Sequence, residues 1–202
     1  MHPLNQLTET DIVQRLNRAS THRTFDVPTA NDENYKDAAV LVPFLRVGDE
    51  WHLLYIRRAC SERDRHSGQV AFAGGKRDED DHDLYATALR EANEEVGIDP
   101  QDVRVLGQLT HHHSISHFRI TPVVGQVPWP YHLRLQRGEV DRAFTIPLQW
   151  LADPAHHEIR DHELRGKAVP VVYFHEYDGE LLWGATARMT LSLLNALTGE
   201  AA

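Results

Sequence analysis

Cysteine is almost missing from this chain of 202 residues: Cys60 is its only thiol. A lone cysteine rules out a disulfide within the chain and fits a reducing compartment. Long apolar runs are missing too. The longest, Ala38 to Leu45, is interrupted by Pro43, whereas a membrane span needs roughly 18 or more consecutive apolar residues. The opening segment MHPLNQLTETDIVQRLNRAS has neither an apolar centre nor a small-residue cleavage site, which argues against a secretory leader. Positive charge is scarce, with 21 Lys and Arg against 30 Asp and Glu, a net charge of −9. That balance argues against a broad footprint on the phosphate backbone of DNA or RNA. A small anion is still admissible, because a metal ion or a few local arginines reverses the sign of one pocket. The expectation is a cytoplasmic protein with no nucleic-acid and no membrane partner.

Hydrophobic residues make up 41% of the chain, enough for one sizeable core. No repeat, low-complexity tract or Pro/Gly/Ser-rich linker divides it. Thr8 and Asp11 form a capping-box pattern ahead of Ile12, Val13 and Leu16, which predicts a short amphipathic helix. Residues 20–37 read as an irregular connection. AAVLVPFLR (38–46), a Gly48-Asp49 turn and WHLLYIR (51–57) read as a strand pair. A polar loop over 58–67 leads to a short strand at 69–75 that ends in two glycines. From Asp83 to Val96 the pattern is helical, with Ala88, Leu89, Ala92 and Val96 on one face and Gly97 as the stop. Segments 103–109, 118–127 and 169–177 read as strands, Asp178-Gly179 as a hairpin turn, and 185–197 as a closing helix. Interleaved strands and helices predict one α/β or α+β domain.

Residues 73–98, AGGKRDEDDHDLYATALREANEEVGI, carry the chemistry. On a helix Glu91, Glu94 and Glu95 share one side, read here as opposite the apolar stripe. Like charges at such spacing repel by a few tenths of a kcal/mol per pair. A hard divalent cation with oxygen ligands compensates them, and Arg90 can hold one carboxylate by a charge-assisted hydrogen bond. An isolated Glu-x-x-Glu-Glu is ordinarily a solvated acidic face. Here a Gly-Gly turn precedes it, Arg90 leads it and Gly97 follows it, which singles out a metal site.

This stretch resembles the box of the Nudix hydrolases, with Gly75 at its start and REANEEVGI (90–98) at its end. Between them, Asp81 stands where the box has its first Glu, and one extra residue separates it from Arg90. That variant, with GQVAFAGG (68–75), TPVVG (121–125), Glu139 to Phe144 followed by IPL, and WGATARM (183–189), resembles the coenzyme A pyrophosphatase branch. The resemblance runs from about residue 38 to 190. It implies a mixed sheet sandwiched between helices over 38–200, with 1–37 as an N-terminal helix and connecting segment packed on it. It further implies hydrolysis of a diphosphate with Mg²⁺ or Mn²⁺. Glu91 and Glu95 match the metal-binding positions, Glu94 is a further ligand or base, and the Gly75 carbonyl is at the backbone-ligand position. Glu139 is a candidate additional carboxylate, as ligand or general base.

Arg57, Arg58, Arg63, Arg65 and His66 read as a phosphate-binding rim, with ordinary solvated surface as the alternative. Here the chain departs from the branch: Arg63-Asp64-Arg65-His66 displaces an arginine, and Ala73 replaces a proline. The substrate expected is coenzyme A or a derivative, giving 3′,5′-ADP and 4′-phosphopantetheine. ADP-ribose, a dinucleotide or a nucleoside triphosphate is the alternative. A non-catalytic binding module would be expected to lack a box glutamate, and all three are present. A homodimer is the one assembly left open. His111, His112, His113 and His117 invite a zinc reading, but consecutive strand residues face opposite sides, so a polar loop is expected there. Trp129 and Tyr131 read as loop packing, and Cys60 as incidental.

Overall fold

The computed structural model describes residues 2–19, 35–60, 67–164 and 166–199. Its centre is β1 (Lys36–Val47), buried without a break from Ala38 to Leu45. Continuous burial is what a strand covered on both faces requires, and it explains why this segment is an apolar run instead of an alternation. The Gly48-Asp49 turn returns the chain as β2 (Glu50–Arg58), antiparallel to β1 with Phe44 opposite Leu53. On the other edge β1 pairs in parallel with β7 (Phe118–Gln126), from Lys36 opposite Phe118 to Phe44 opposite Gln126.

The register of β1 with β2 runs only from Phe44 to Val47, which leaves the edge near Ala38 open. Two short strands fill the region: β3 (Val70–Ala71) adds to β2, and β4 (Gly74–Lys76) pairs with Ala38–Val40 of β1. The segment expected as one strand is therefore two, and the bend at Phe72-Ala73 carries the chain from one partner to the next. Both β5 (Arg104–Gln108) and β6 (His112–His113) pair with β7, and β8 (Val140–Pro147) pairs with β2.

The two faces of this mixed sheet bury separate clusters. Val40, Val42, Phe44, Leu53 and Tyr55 meet Ile12 and Leu16 of α1 (Glu9–Ala19) and Leu193, Leu194 and Leu197 of α4 (Gly184–Thr198). Ala39, Leu41, Leu45, Leu54 and Ile56 meet Ala88, Ala92 and Val96 of α2 (Leu84–Val96). A mixed sheet between helices is thus the architecture, as expected. No helix among the described residues is long and apolar enough to cross a membrane.

Helix boundaries follow local chemistry. In α1 the amide of Asp11 donates to Thr8 Oγ1, and Asp11 Oδ2 accepts from the Thr8 amide, the reciprocal cap. Asp83 caps α2 by accepting from the Ala86 amide at 2.8 Å, and Gly97 ends it with φ of 73°. The turn after β10 (Lys167–Phe174) is at Asp178 and Gly179, both with positive φ, as the hairpin signal requires.

Strands also form where loop is expected. His112–His113 is β6, with His112 buried, in place of a polar loop. Glu139 is expected in a loop before IPL, but Val140–Pro147 is β8, whose Asp141 and Arg142 interrupt the apolar pattern. His157–Leu164 forms β9, paired with β10 through Phe174 opposite His157. Its residues 158–163 are all exposed, so it has no apolar alternation to find. The histidines do not converge: His112 is buried beside Arg188 while His113 lies against Tyr35, and no metal-binding group of three appears among the described residues. Trp129 and Tyr131 pack against the α2-side core.

Ala88 and Ala92 are fully buried between α2 and the sheet, so the helix lies as close as methyl groups allow. Ala92→Leu should lift α2 and destabilise the protein by about 1–3 kcal/mol. Urea unfolding at unchanged slope is the measurement, and an unchanged midpoint would contradict this packing.

Candidate active site

The site begins with two residues that have no side chains. A Cβ on Gly74 would lie 2.4 Å from the Ala39 carbonyl oxygen and 2.6 Å from Val40 Cα. One on Gly75 would lie 2.4 Å from Glu91 Oε1 and 2.5 Å from Glu91 Cδ. Strand β4 therefore fits against β1 on one side and receives the carboxylate of Glu91 on the other, and any larger residue closes the gap.

Glu95, one turn further along α2, is only 3% exposed. Its Oε2 accepts the Gly74 amide proton at 3.0 Å. Burial pushes its pKa up to about 7, against the Gly74 hydrogen bond and the positive charge of Arg58; the charges of Glu91 and Glu139 push the same way as burial. Burial raises Glu91 as well, opposed by Arg90. The reading of the glutamates as opposite the apolar stripe needs correcting: Glu95 lies within the buried face. The Gly74 amide of β4 is its hydrogen-bond partner there.

Arg90 organises the rest. Its Nε and Nη2 donate to the two oxygens of Asp81 at 3.1 and 3.0 Å. Nη1 donates to Glu91 Oε1 at 3.0 Å and Glu94 Oε2 at 3.2 Å, and Nη2 also reaches the Lys76 carbonyl at 3.1 Å. Asp81 is itself buried and accepts from Thr87 Oγ1 and the Asp78 amide, each at 2.9 Å. These bonds, the one from Arg90 foremost, hold its carboxyl far below the usual carboxylate range. Glu94 is 58% exposed and turned outward, with Arg90 as its partner.

The arginine rim divides at the end of β2. Arg58 lies on the α2 face, where its charge acts on Glu95. Arg57 lies on the opposite face, and its guanidinium is taken by Asp141 and by Glu180, at 3.0 Å to the latter. Strand alternation separates the neighbours, so Arg57 is not part of the carboxylate site. Arg63, Arg65 and His66 lie outside the described residues. Glu139 sits in the turn before β8, where its carbonyl accepts from the Ala59 amide at 2.8 Å. Amides of Arg134 and Gln136 in the preceding loop bond to the carbonyls of Val96 and Glu95 at 2.9 Å, so this loop is tied to the end of α2.

Glu91, Glu95, Glu139, Arg58, Arg90 and the Gly74-Gly75 backbone thus share one corner of the molecule, and Glu94 borders it. The carboxylate oxygens of Glu91 and Glu95 are donors of the kind that suit a hard cation. Among the described residues no three carboxylate, imidazole or thiol groups already converge as a metal cage. Thr87 and the Gly74 amide had no role in the sequence reading. Their signal is one of distance in the fold, since Gly74 and Glu95 are joined only when α2 folds onto β4.

The match to a NUDIX domain covers residues 35–183. An uncharacterized Nudix hydrolase NudL of Photorhabdus laumondii is 40% identical over 160 residues, 79% of this chain and 84% of its own. The protein of the same description from Salmonella dublin is 38% identical over 180 residues, 89% of this chain and 88% of its own. In fold, the crystal structure of a MutT/nudix family protein from Enterococcus faecalis superposes with a TM-score of 0.54 at 13% identity, over 96% of this chain and 71% of that one. With the glycine-seated glutamates of α2 in place, the chain belongs to the Nudix hydrolases, pyrophosphohydrolases acting on phosphorus-containing anhydrides.

Proposed function

We propose that this enzyme cleaves the diphosphate of coenzyme A or a derivative to 3′,5′-ADP and 4′-phosphopantetheine, with Mg²⁺ or Mn²⁺ bound. The observation that carries the diphosphatase reading is the pair Glu91 and Glu95 seated on Gly75 and Gly74. The coenzyme A reading is supported by GQVAFAGG, TPVVG and WGATARM in the sequence. Glu91, Glu95 and the Gly75 carbonyl would hold the cation, with Glu94 or Glu139 adding a carboxylate. A bound divalent ion neutralises diphosphate oxygens and makes water a nucleophile near neutral pH. The chain does the rest. Arg90 aligns Glu91, while Glu139 or Glu94 is the carboxylate assigned to accept the proton of the attacking water. Arg58, with Arg63, Arg65 and His66, is assigned to the phosphates. Arg57 is left out because its acidic partners hold it on the other face.

Variants of the carboxylates test this reading. Glu95→Gln should lower kcat/KM about 100-fold, some 2.7 kcal/mol of transition-state stabilisation, and weaken Mn²⁺ binding measured by calorimetry. Near-normal turnover at saturating Mg²⁺ would remove α2 from catalysis. Glu139→Gln should lower kcat and alter the pH–rate profile, and if both stay as in the parent the base lies elsewhere, with Glu94 as the candidate.

The glycines should separate fold from chemistry. Gly74→Ala meets backbone on β1 and should lower Tm by several degrees. Gly75→Ala meets only the end of a flexible side chain, so Tm should hold while displacement of Glu91 lowers kcat. Equal effects of the two changes on Tm would refute this division.

Substrate identity is read by comparing coenzyme A, 3′-dephospho-coenzyme A and ADP-ribose. The 3′-phosphate is an additional dianion for the arginine loop, so coenzyme A should be hydrolysed fastest, with a preference that shrinks as salt rises. Changing Arg63 and Arg65 together to Ala should reduce that preference and leave ADP-ribose turnover little altered. Equal kcat/KM for coenzyme A and its dephospho form would remove the loop from the site. Faster ADP-ribose hydrolysis would assign the enzyme to a different nucleoside diphosphate derivative.

A further inference from the structure

Strand β9 has one partner, β10, and its other edge is unpaired among the described residues. The phase of the ladder shows which backbone groups face that edge. The His175 amide donates to the His156 carbonyl at 2.7 Å, and the Phe174 amide turns away from β9 to the Leu182 carbonyl at 2.8 Å. Counting by two from His156, residues Glu158, Arg160 and His162 spend their backbone groups on β10. His157, Ile159, Asp161 and Glu163 therefore turn theirs outward. Ile159 among them is 59% exposed, on the same face of the hairpin as the buried Val172 opposite it.

An open edge with an exposed isoleucine is a template for another strand. The sequence around Ile159 specifies which strand fits. Read in the two directions from Ile159, charges of opposite sign occupy equivalent places: Glu158 against Arg160, and His157 against Asp161. Antiparallel pairing of β9 with a second β9 centred on Ile159 places Ile159 opposite Ile159, with each Glu158 opposite an Arg160 and each His157 opposite an Asp161. Ile159 has outward backbone groups, so this register also satisfies the hydrogen bonds. Centring on Asp161 instead sets two aspartates face to face, and centring on Arg160 or Glu158 opposes two like charges in the same way. Glu158 and Arg160 already lie together on one face, with Arg160 Nε donating to Glu158 Oε1 at 2.9 Å and its guanidinium over Tyr173.

We propose that β9 is a homodimer interface: two copies of this chain join β9 to β9 about a twofold axis at Ile159, making one continuous antiparallel sheet. A twofold contact of this kind uses the same patch on both copies and closes, so it stops at the dimer. One strand pair is a small interface, and association should be concentration-dependent.

Analytical ultracentrifugation of the full chain across a wide concentration range tests the proposal, with circular dichroism confirming that each variant is folded. The parent should self-associate. Glu158→Arg alone sets arginine against arginine at two places, and Arg160→Glu alone sets glutamate against glutamate. Each should weaken the dimer about tenfold or more. An equimolar mixture of the two single variants restores opposite charges at both places and should dimerise as the parent does. So should the double variant. A parent that is monomeric at every concentration would show that these charges only keep the edge solvated, and would overturn the proposal. So would a dimer indifferent to the single reversals, or a mixture no tighter than its components.

Discussion

The approach of helix α2 to the glycine strand β4 is the contact on which the rest of the molecule depends. Ala88 and Ala92 keep the helix close to the sheet, and Gly75 leaves the room on the strand that the Glu91 carboxylate occupies. The same closeness excludes water from Glu95, and desolvation then makes a surface-type residue into one with a strongly raised pKa. Packing and chemistry are therefore one arrangement here. Strand β1 holds it in place, because β1 pairs with β4 on one side and β7 on the other.

Charge is organised by the same economy of space. A chain with an excess of nine acidic groups has few cations to place, and several of those described hold buried acids. Arg90 serves Asp81 and Glu91, and Arg57 and Arg142 both bond Glu180, which is 4% exposed. Breaking one member of such a set leaves a buried charge uncompensated, which costs more than an exposed pair would. The acids thus define where Arg57, Arg90 and Arg142 are bound structurally.

How much was legible follows from the range of each signal. The cap at Thr8, the stop at Gly97 and the turn at Asp178-Gly179 are local, and the structure shows each where the sequence put it. The apolar run of β1 and the alanine face of α2 were likewise readable. The strands β8 and β9 were not: in β8 Arg142 breaks the alternation of Val140, Phe144 and Ile146, and in β9 residues 158–163 are all exposed and offer no periodic apolar face. In the site, Glu91 and Glu95 stood out by composition and spacing, and Gly75 through the resemblance to the Nudix box. The separation of Arg57 from Arg58 needed the strand's orientation, and the seat of Glu95 on Gly74 needed the fold.

Asp81 shows how two irregularities can be one. Against the Nudix box, the residue is a methylene shorter than glutamate and the segment that joins it to Arg90 is one residue longer. Both of its oxygens nonetheless reach the guanidinium, with Thr87 and the Asp78 amide closing the remaining positions. Backbone length has been exchanged for side-chain length. The carboxylate is delivered by main chain that goes further, on a side chain that reaches less far. The two changes therefore work together: glutamate on the longer segment would carry an extra methylene where Arg90, Thr87 and the Asp78 amide already hold the carboxylate, and aspartate on the shorter one would reach less far toward Arg90.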